Sequence, residues 1–80
     1  METKQRLIVE FDKNVLEKIE IHLQRWKGQM YIDVRIFYLD EHGAWLPTKK
    51  GITLNVELLH DLKKAIDKAL AEVEMGKAGT

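Results

Sequence analysis

The sequence predicts an α+β fold, in which a run of β-strands is followed by one C-terminal amphipathic helix. Two changes of period support this class. From Glu17 onward apolar and polar residues alternate, which is typical of a half-buried strand. After Leu54 the apolar residues recur every three to four positions, which is typical of a helix with one apolar side. No composition shift or linker divides the 80 residues, so we expect a single small domain.

The strands follow in order along the chain. Residues 6–11 predict a short strand, and residues 12–14 predict a turn. Residues 17–24 place Ile19, Ile21 and Leu23 on one side of a strand. Turn residues at 27–28 and 40–43 then bound a longer strand over 30–39. We expect a third strand over 44–48, kept short or at an edge by its proline, and a short fourth strand over 52–54 after a turn at Lys49-Lys50-Gly51.

The helix is predicted to begin after Asn55, whose side chain can accept a hydrogen bond from an unpaired N–H, and to stop at Gly76. Its apolar residues form two adjacent stripes that cover an arc of roughly 180°, wider than the ~100° that packing on one sheet requires. We therefore predict a homodimer, with one stripe group near the two-fold axis and the other on the sheet of its own subunit. The residues near the axis are Leu58, Leu62, Ala65 and Ala69, and those on the sheet are Leu59, Ile66, Leu70 and Val73.

Composition excludes several classes of protein. There are 13 basic and 13 acidic residues, which argues against binding to DNA by bulk charge alone. The sequence has no cysteine, hence no disulfide, and no apolar run approaches the roughly 20 residues that span a bilayer. The N-terminal residues alternate charged and apolar groups, unlike a signal peptide.

Side chains suited to catalysis are few. Cysteine and serine are both absent, and the three histidines are scattered over a strand, a turn and the helix. Residues 40–42 contain two acids and a histidine, but three adjacent turn residues do not readily point at one metal ion. Asp33 and Arg35 lie on one strand face, where we expect a surface ion pair. We therefore predict that the chain is not an enzyme and needs neither cofactor nor metal.

Aromatic and basic residues occur side by side between Trp26 and Leu54. Residues 24–50 contain five cations against three acids, whereas residues 56–74 contain three cations against five acids. Flat rings that stack on bases, next to cations that contact phosphates, are typical of single-stranded nucleic-acid binding. The same rings could instead belong to the core, with the lysines only keeping the turns soluble.

Several segments at fixed spacing resemble the positive cofactor 4 family of transcriptional coactivators. They comprise Trp26-Lys27-Gly28, Ile32-Asp33-Val34-Arg35, Phe37-Tyr38, Asp40-Glu41 with Gly43, Pro47, and Lys49-Lys50-Gly51-Ile52-Thr53-Leu54-Asn55. The resemblance runs without a gap from about Ile19 to Asn55. It implies a four-stranded antiparallel sheet, a C-terminal helix and a two-fold homodimer that binds single-stranded or locally melted DNA with little base preference.

Carried over residue by residue, the resemblance implies a set of nucleic-acid-binding side chains. They are Trp26, Lys27, Arg35, Tyr38, Lys49 and Lys50. Gln24 and Gln29 stand where better-known members have basic residues, so we expect a less positive groove. Simple alternation also places Arg35 and Tyr38 on opposite faces of one strand, and a twist or a bulge would be needed to bring both into one channel.

The predicted organisation is an N-terminal segment over 1–16, the nucleic-acid-binding domain over 17–75 and a flexible tail over 76–80. The expected partners are single-stranded DNA or RNA, a second copy of the chain and the transcription machinery, in the nucleoid of a bacterium or otherwise in a nucleus. The alternative is a protein-interaction module in which Trp45, Tyr31 and the sheet face contact a partner such as RNA polymerase.

Overall fold

The computed structural model describes residues 4–76. The chain forms four strands, β1 (Lys4–Asn14), β2 (Glu17–Trp26), β3 (Gln29–Leu39) and β4 (Trp45–Asn55), followed by a one-turn 3₁₀ helix (Val56–Leu58) and helix α1 (Leu59–Glu74). The strands form one antiparallel sheet in the order β1-β2-β3-β4. The predicted α+β class, a four-stranded antiparallel sheet followed by a helix, is confirmed.

Two of the predicted hairpin turns are present where the glycines indicated them. Lys27 and Gly28 both have positive φ, 52° and 78°, and they form a two-residue connection that pairs Trp26 with Gln29. In the next turn the Asp40 carboxylate accepts hydrogen bonds from the backbone N–H groups of His42 and Ala44. The carboxylate of this turn thus organises the backbone of the loop.

The predicted division of the strands was wrong in two places. β1 extends from Lys4 through the predicted turn at 12–14, so residues 4–14 form an edge strand. Lys49-Lys50-Gly51 does not turn the chain either, because β4 is continuous from Trp45 to Asn55. Two extra residues of β4 are accommodated as a bulge between the pairs Arg35–Gly51 and Phe37–Pro47.

The sheet has an apolar face and a polar face. The apolar face contains Ile19, Ile21 and Leu23 of β2 paired with Ile36, Val34 and Ile32 of β3, and the polar face contains Glu20, His22 and Gln24 paired with Arg35, Asp33 and Tyr31. The predicted alternation along β2 is confirmed. Ile32, with 7% of its surface exposed, is the buried apolar residue of the described chain, whereas Asp33 and Glu20 on the polar face are equally inaccessible.

Helix α1 extends away from the sheet. The Asn55 side chain accepts a hydrogen bond from the backbone N–H of Glu57, which caps the 3₁₀ turn leading into the helix, and the chain leaves the helix at Gly76 with φ of 75°. Residues 77–80 of the predicted tail lie outside the described residues. No helix in the described part combines the length and apolar character that crossing a bilayer takes.

The prediction that one stripe of the helix packs on its own sheet was wrong. Ile66, Leu70 and Val73 are each more than half exposed. The 3₁₀ turn is the whole connection between β4 and α1. The radius of gyration of 15.1 Å accordingly exceeds the ~12 Å expected of a compact chain of this length.

Candidate nucleic-acid interface

Trp26 and Lys27 form the predicted aromatic and basic pair at the β2–β3 turn. Trp26 is the last residue of β2 and keeps 43% of its surface exposed. The Lys27 ammonium lies 4.5 Å from the centroid of the Trp26 ring, a cation–π distance. An exposed ring beside a cation offers a stacking surface for a base and a positive charge for a phosphate.

Arg35 lies on the same face, at the centre of the sheet, and is held by Asp33. Its Nε and Nη2 donate to the two Asp33 carboxylate oxygens at 3.0 and 2.8 Å, and Nη1 donates to the Thr48 carbonyl at 2.9 Å. Thr53 donates to the same carboxylate at 2.6 Å. The predicted ion pair is therefore present, but Asp33 is only 4% exposed, so it is not a surface pair.

The hydrogen bonds within this network determine the protonation states of Asp33 and Arg35. Burial by itself raises the pKa of Asp33, but hydrogen bonds from Arg35 and Thr53 outweigh it and hold that pKa below its ordinary value of 3.8. The hydrogen bond to Asp33 in turn raises the pKa of Arg35. The pair stays ionised at neutral pH, and Arg35 presents its remaining N–H groups in a fixed orientation.

A second charged cluster lies next to it on the polar face. Lys18 contacts Glu10 at 2.7 Å and Glu20 at 3.0 Å, and these hydrogen bonds, that to Glu10 first, raise the pKa of Lys18. The same ammonium lies 4.7 Å from the centroid of the Trp45 ring. Trp45 is thus half-buried beneath a cation rather than presented as an open apolar patch.

Lys49 and Lys50 lie in the β4 bulge and are exposed. The bulge is fixed at its base, because the Thr48 hydroxyl donates to the Ile36 carbonyl at 2.7 Å and accepts from the Lys50 backbone N–H at 3.1 Å. Gly51 follows because a Cβ at this position would lie 2.6 Å from the Val34 carbonyl oxygen. The bulge projects two cations from the edge of the sheet close to Arg35.

Tyr38 lies apart from the other predicted site residues. It pairs with Glu17 and Leu46 on the apolar face, and the β2–β3 register runs without a bulge from Glu17 to Trp26. Arg35 and Tyr38 therefore remain on opposite faces, as simple alternation indicated. Tyr38 is 40% exposed and lies roughly 30 Å of strand from Gln29, the residue paired with Trp26.

Sequence reasoning missed a notch beside Trp26. It is lined by Gln24, Trp26, Tyr31 and Thr53, three of which were not predicted as site residues. The signal was available, because a two-residue turn at Lys27-Gly28 pairs Trp26 with Gln29 and therefore Gln24 with Tyr31. That register places the Trp26 and Tyr31 rings as diagonal neighbours on the polar face.

Comparison with known proteins identifies relatives of this arrangement. A family model described as Transcriptional Coactivator p15 (PC4) matches residues 13–65. The RNA polymerase II transcriptional coactivator KIWI of Arabidopsis thaliana is 35% identical over an alignment of 63 residues that covers 75% of this chain and 58% of that protein. The chain thus spans little more than half the length of this curated relative.

Solved structures show the same fold. A PC4 homolog from Burkholderia pseudomallei superposes with a TM-score of 0.78 at 30% identity, covering 84% of this chain and 90% of that one. The bacteriophage T5 homolog of the eukaryotic coactivator PC4, implicated in recombination-dependent DNA replication, superposes with a TM-score of 0.69 at 25% identity, covering 88% and 81%. Because the family model matches more than half of the chain, the chain belongs to the family of the transcriptional coactivator p15, PC4.

Proposed function

We propose that the protein binds single-stranded or locally melted DNA along the polar face of its sheet, largely through stacking and phosphate contacts. The observation that carries this is the exposed Trp26 ring with the Lys27 ammonium 4.5 Å above it, at one end of a face that also holds Arg35. A ring and a cation in contact serve a base and its phosphate together.

The positions of the cations support a row of phosphate contacts along the sheet rather than a contact with a single phosphate. From the row in which Trp26 pairs with Gln29 to the bulge beside Ile36, the sheet extends about 23 Å. Lys27 lies at one end of this length, and Lys49 and Lys50 lie at the other. A flexible single strand can place successive phosphates near these ammonium groups, whereas a stiff duplex hides the base faces that Trp26 would stack on.

We propose Tyr38 as a second stacking ring, but it lies on the opposite face of the sheet from Trp26. It lies on the apolar face near the opposite end of β3 from Trp26, so one strand reaches both rings only by passing around the sheet from one face to the other. We therefore expect Tyr38 to contribute to binding of long oligonucleotides and to leave short ones unaffected.

We propose a homodimer as the binding unit. Ile66, Leu70 and Val73 on the helix, and Val9, Phe11 and Ile52 on the apolar sheet face, are each about half exposed. A second copy supplies apolar surface that covers both. Leu58, Leu62, Ala65 and Ala69 then lie near the two-fold axis, as the sequence predicted.

The competing function is a protein-interaction module that uses Trp45 and Tyr31. The Lys18 ammonium lies 4.7 Å from the centroid of the Trp45 ring, and Tyr31 is half-buried within the notch, so neither ring offers an open apolar surface. This favours nucleic acid over a protein partner at this face.

One titration tests the proposal. Tryptophan fluorescence is followed as a single-stranded oligonucleotide is added at two salt concentrations, with a duplex of equal length as the control. We expect quenching by the single strand, weaker binding of the duplex, and an affinity that falls steeply with salt because phosphate contacts release counterions. Salt-independent binding, or none, would favour the protein-partner function.

A further inference from the structure

The Trp26 and Tyr31 rings border the same open space. Both lie on the polar face, and the register makes them diagonal neighbours across β2 and β3. They do not stack on each other, since the one aromatic contact within residues 4–76 joins His22 and Phe37. Instead both rings line the notch, a concavity of about 420 Å³, which is within the range of small-ligand pockets.

The spacing of the two rings suits a planar group. Diagonal neighbours in an antiparallel sheet are ~7–8 Å apart at their Cα atoms. One planar ring contacts another at ~3.5 Å, so a planar group placed between two rings fills a gap of about 7 Å. A nucleobase is the planar group that arrives with a phosphate, and the Lys27 ammonium, 4.5 Å from the centroid of the Trp26 ring, is in position to contact that phosphate.

Tyr31 is held more firmly than Trp26. It lies in an inner strand, is half-buried, and pairs with Gln24 on one side and with Asn55 on the other. The Asn55 amide also donates to the Gln29 side chain at 3.2 Å, which joins the end of β4 to the start of β3. A ring that is already fixed loses little conformational entropy when a base contacts it.

We propose that Tyr31 is a stacking ring next to Trp26, and that the two rings contact opposite faces of one unpaired base held in the notch. This rests on the proposed single-strand binding and identifies the residues that receive one nucleotide. The contact does not depend on the identity of the base, because every base offers aromatic faces. Tyr38 lies on the other face of the sheet, whereas Tyr31 acts on the same nucleotide as Trp26 and therefore contributes to the binding of short strands as well.

The experiment compares labelled strands of equal length and charge by fluorescence anisotropy at low salt: oligothymidylate, a fully abasic strand, and an abasic strand that carries a single thymine. We expect the single thymine to increase affinity over the abasic strand by about 5- to 150-fold, the contribution of one stacked base. Trp26→Ala and Tyr31→Ala should each remove most of this gain, because both rings contact the same base. The abasic strand keeps every phosphate and should bind the parent and both variants alike.

Further variants separate stacking from packing. Tyr31→Phe keeps a flat ring and should keep the gain, whereas Tyr31→Leu keeps apolar volume without a flat ring and carries the test if circular dichroism shows that Tyr31→Ala does not fold. Tyr38→Ala is the matched control, because it removes the same side chain from the opposite face and should leave the gain unchanged. A gain that survives in folded Tyr31→Ala or Tyr31→Leu, or that falls equally in Tyr38→Ala, would overturn the role of Tyr31. Failure of oligothymidylate to bind the unaltered protein would instead remove the proposed function itself.

Discussion

Asp33 occupies a position where most small domains place an apolar side chain. It is less exposed than the other buried residues, Ile32 and Glu20. Arg35 and Thr53 both donate hydrogen bonds to its carboxylate. A buried carboxylate without partners would be strongly unfavourable, and removing one partner of such a pair is more destabilising than the pair is stabilising. We interpret this network as the device that fixes Arg35 and Thr53 on the binding face.

The depressed pKa of Asp33 predicts how stability depends on pH. A carboxyl whose folded pKa is below its ordinary value of 3.8 contributes stability that is present above that value and is lost as pH falls through the folded pKa. We expect the urea midpoint to decrease on acidification below about pH 4. Asp33→Asn should be less stable at neutral pH and show a smaller acid-induced decrease, and an unchanged decrease would assign it to other carboxyl groups.

Trp26 decides whether the turn binds by stacking or by charge alone. A base stacked on an aromatic ring contributes roughly 1–3 kcal/mol, so Trp26→Ala should weaken binding of a single strand by about 5- to 150-fold. Trp26→Phe keeps a flat ring and should retain much of the affinity. Circular dichroism checks the fold, because the ring lies at the end of β2 and is 43% exposed. A folded Trp26→Ala variant with parental affinity would contradict stacking, and an unfolded one would show that the ring is core.

At the level of elements, the parts of the fold that local chemistry determines could be predicted from the sequence. The Lys27-Gly28 turn requires positive φ at both positions, and the glycine and the two-residue length indicate this directly. The alternation of apolar and polar residues along β2 and the helical spacing of apolar residues along α1 could likewise be predicted, because one side of each element is apolar. These features depend on neighbours within a few residues.

The features that were not predictable depend on contacts between distant residues. Lys49-Lys50-Gly51 has the composition of a turn, but its glycine is needed because the β3 backbone passes within contact distance, 2.6 Å from where a Cβ would lie. The bulge follows from the pairing of β4 with β3, which the local sequence does not encode. The Thr53 wall of the notch was missed for the same reason, since it comes from β4, whereas the positions of Gln24 and Tyr31 follow from the local β2–β3 turn.

The bulge itself predicts an electrostatic effect. Lys49→Ala combined with Lys50→Ala removes two exposed cations, and each lost phosphate contact should reduce the slope of log affinity against log salt by about 0.7 on single strands. The matched control is Lys63→Ala with Lys64→Ala on the helix, where Lys63 already pairs with Asp67 at 2.8 Å. An unchanged slope in the bulge variant, or an equal change in the helix variant, would contradict a phosphate track at β4.

At the scale of the whole molecule, charged side chains of the polar face find partners within one chain, whereas the apolar surfaces remain uncovered. Lys18 pairs with Glu10 across strands and Arg35 pairs with Asp33 within β3, whereas the helix and the apolar face leave large side chains half exposed. A chain of this size with a single buried apolar residue among those described has little core of its own. We therefore expect a second copy that covers the apolar surfaces to contribute much of the stability.

The corresponding prediction is a stable, symmetric homodimer at micromolar concentration, measured by light scattering. Ala69→Asp places an unpaired charge within the proposed contact and should dissociate or unfold the protein. Lys64→Asp is the control, because it lies on the helix side opposite the apolar arc and introduces the same carboxylate. If the unaltered chain is a stable, folded monomer, or if Lys64→Asp disrupts assembly as strongly as Ala69→Asp, the apolar arc does not mediate dimerisation. Binding should fall together with assembly, since a sheet that loses its apolar cover also loses the rigid strand spacing that positions Trp26 relative to Lys49 and Lys50.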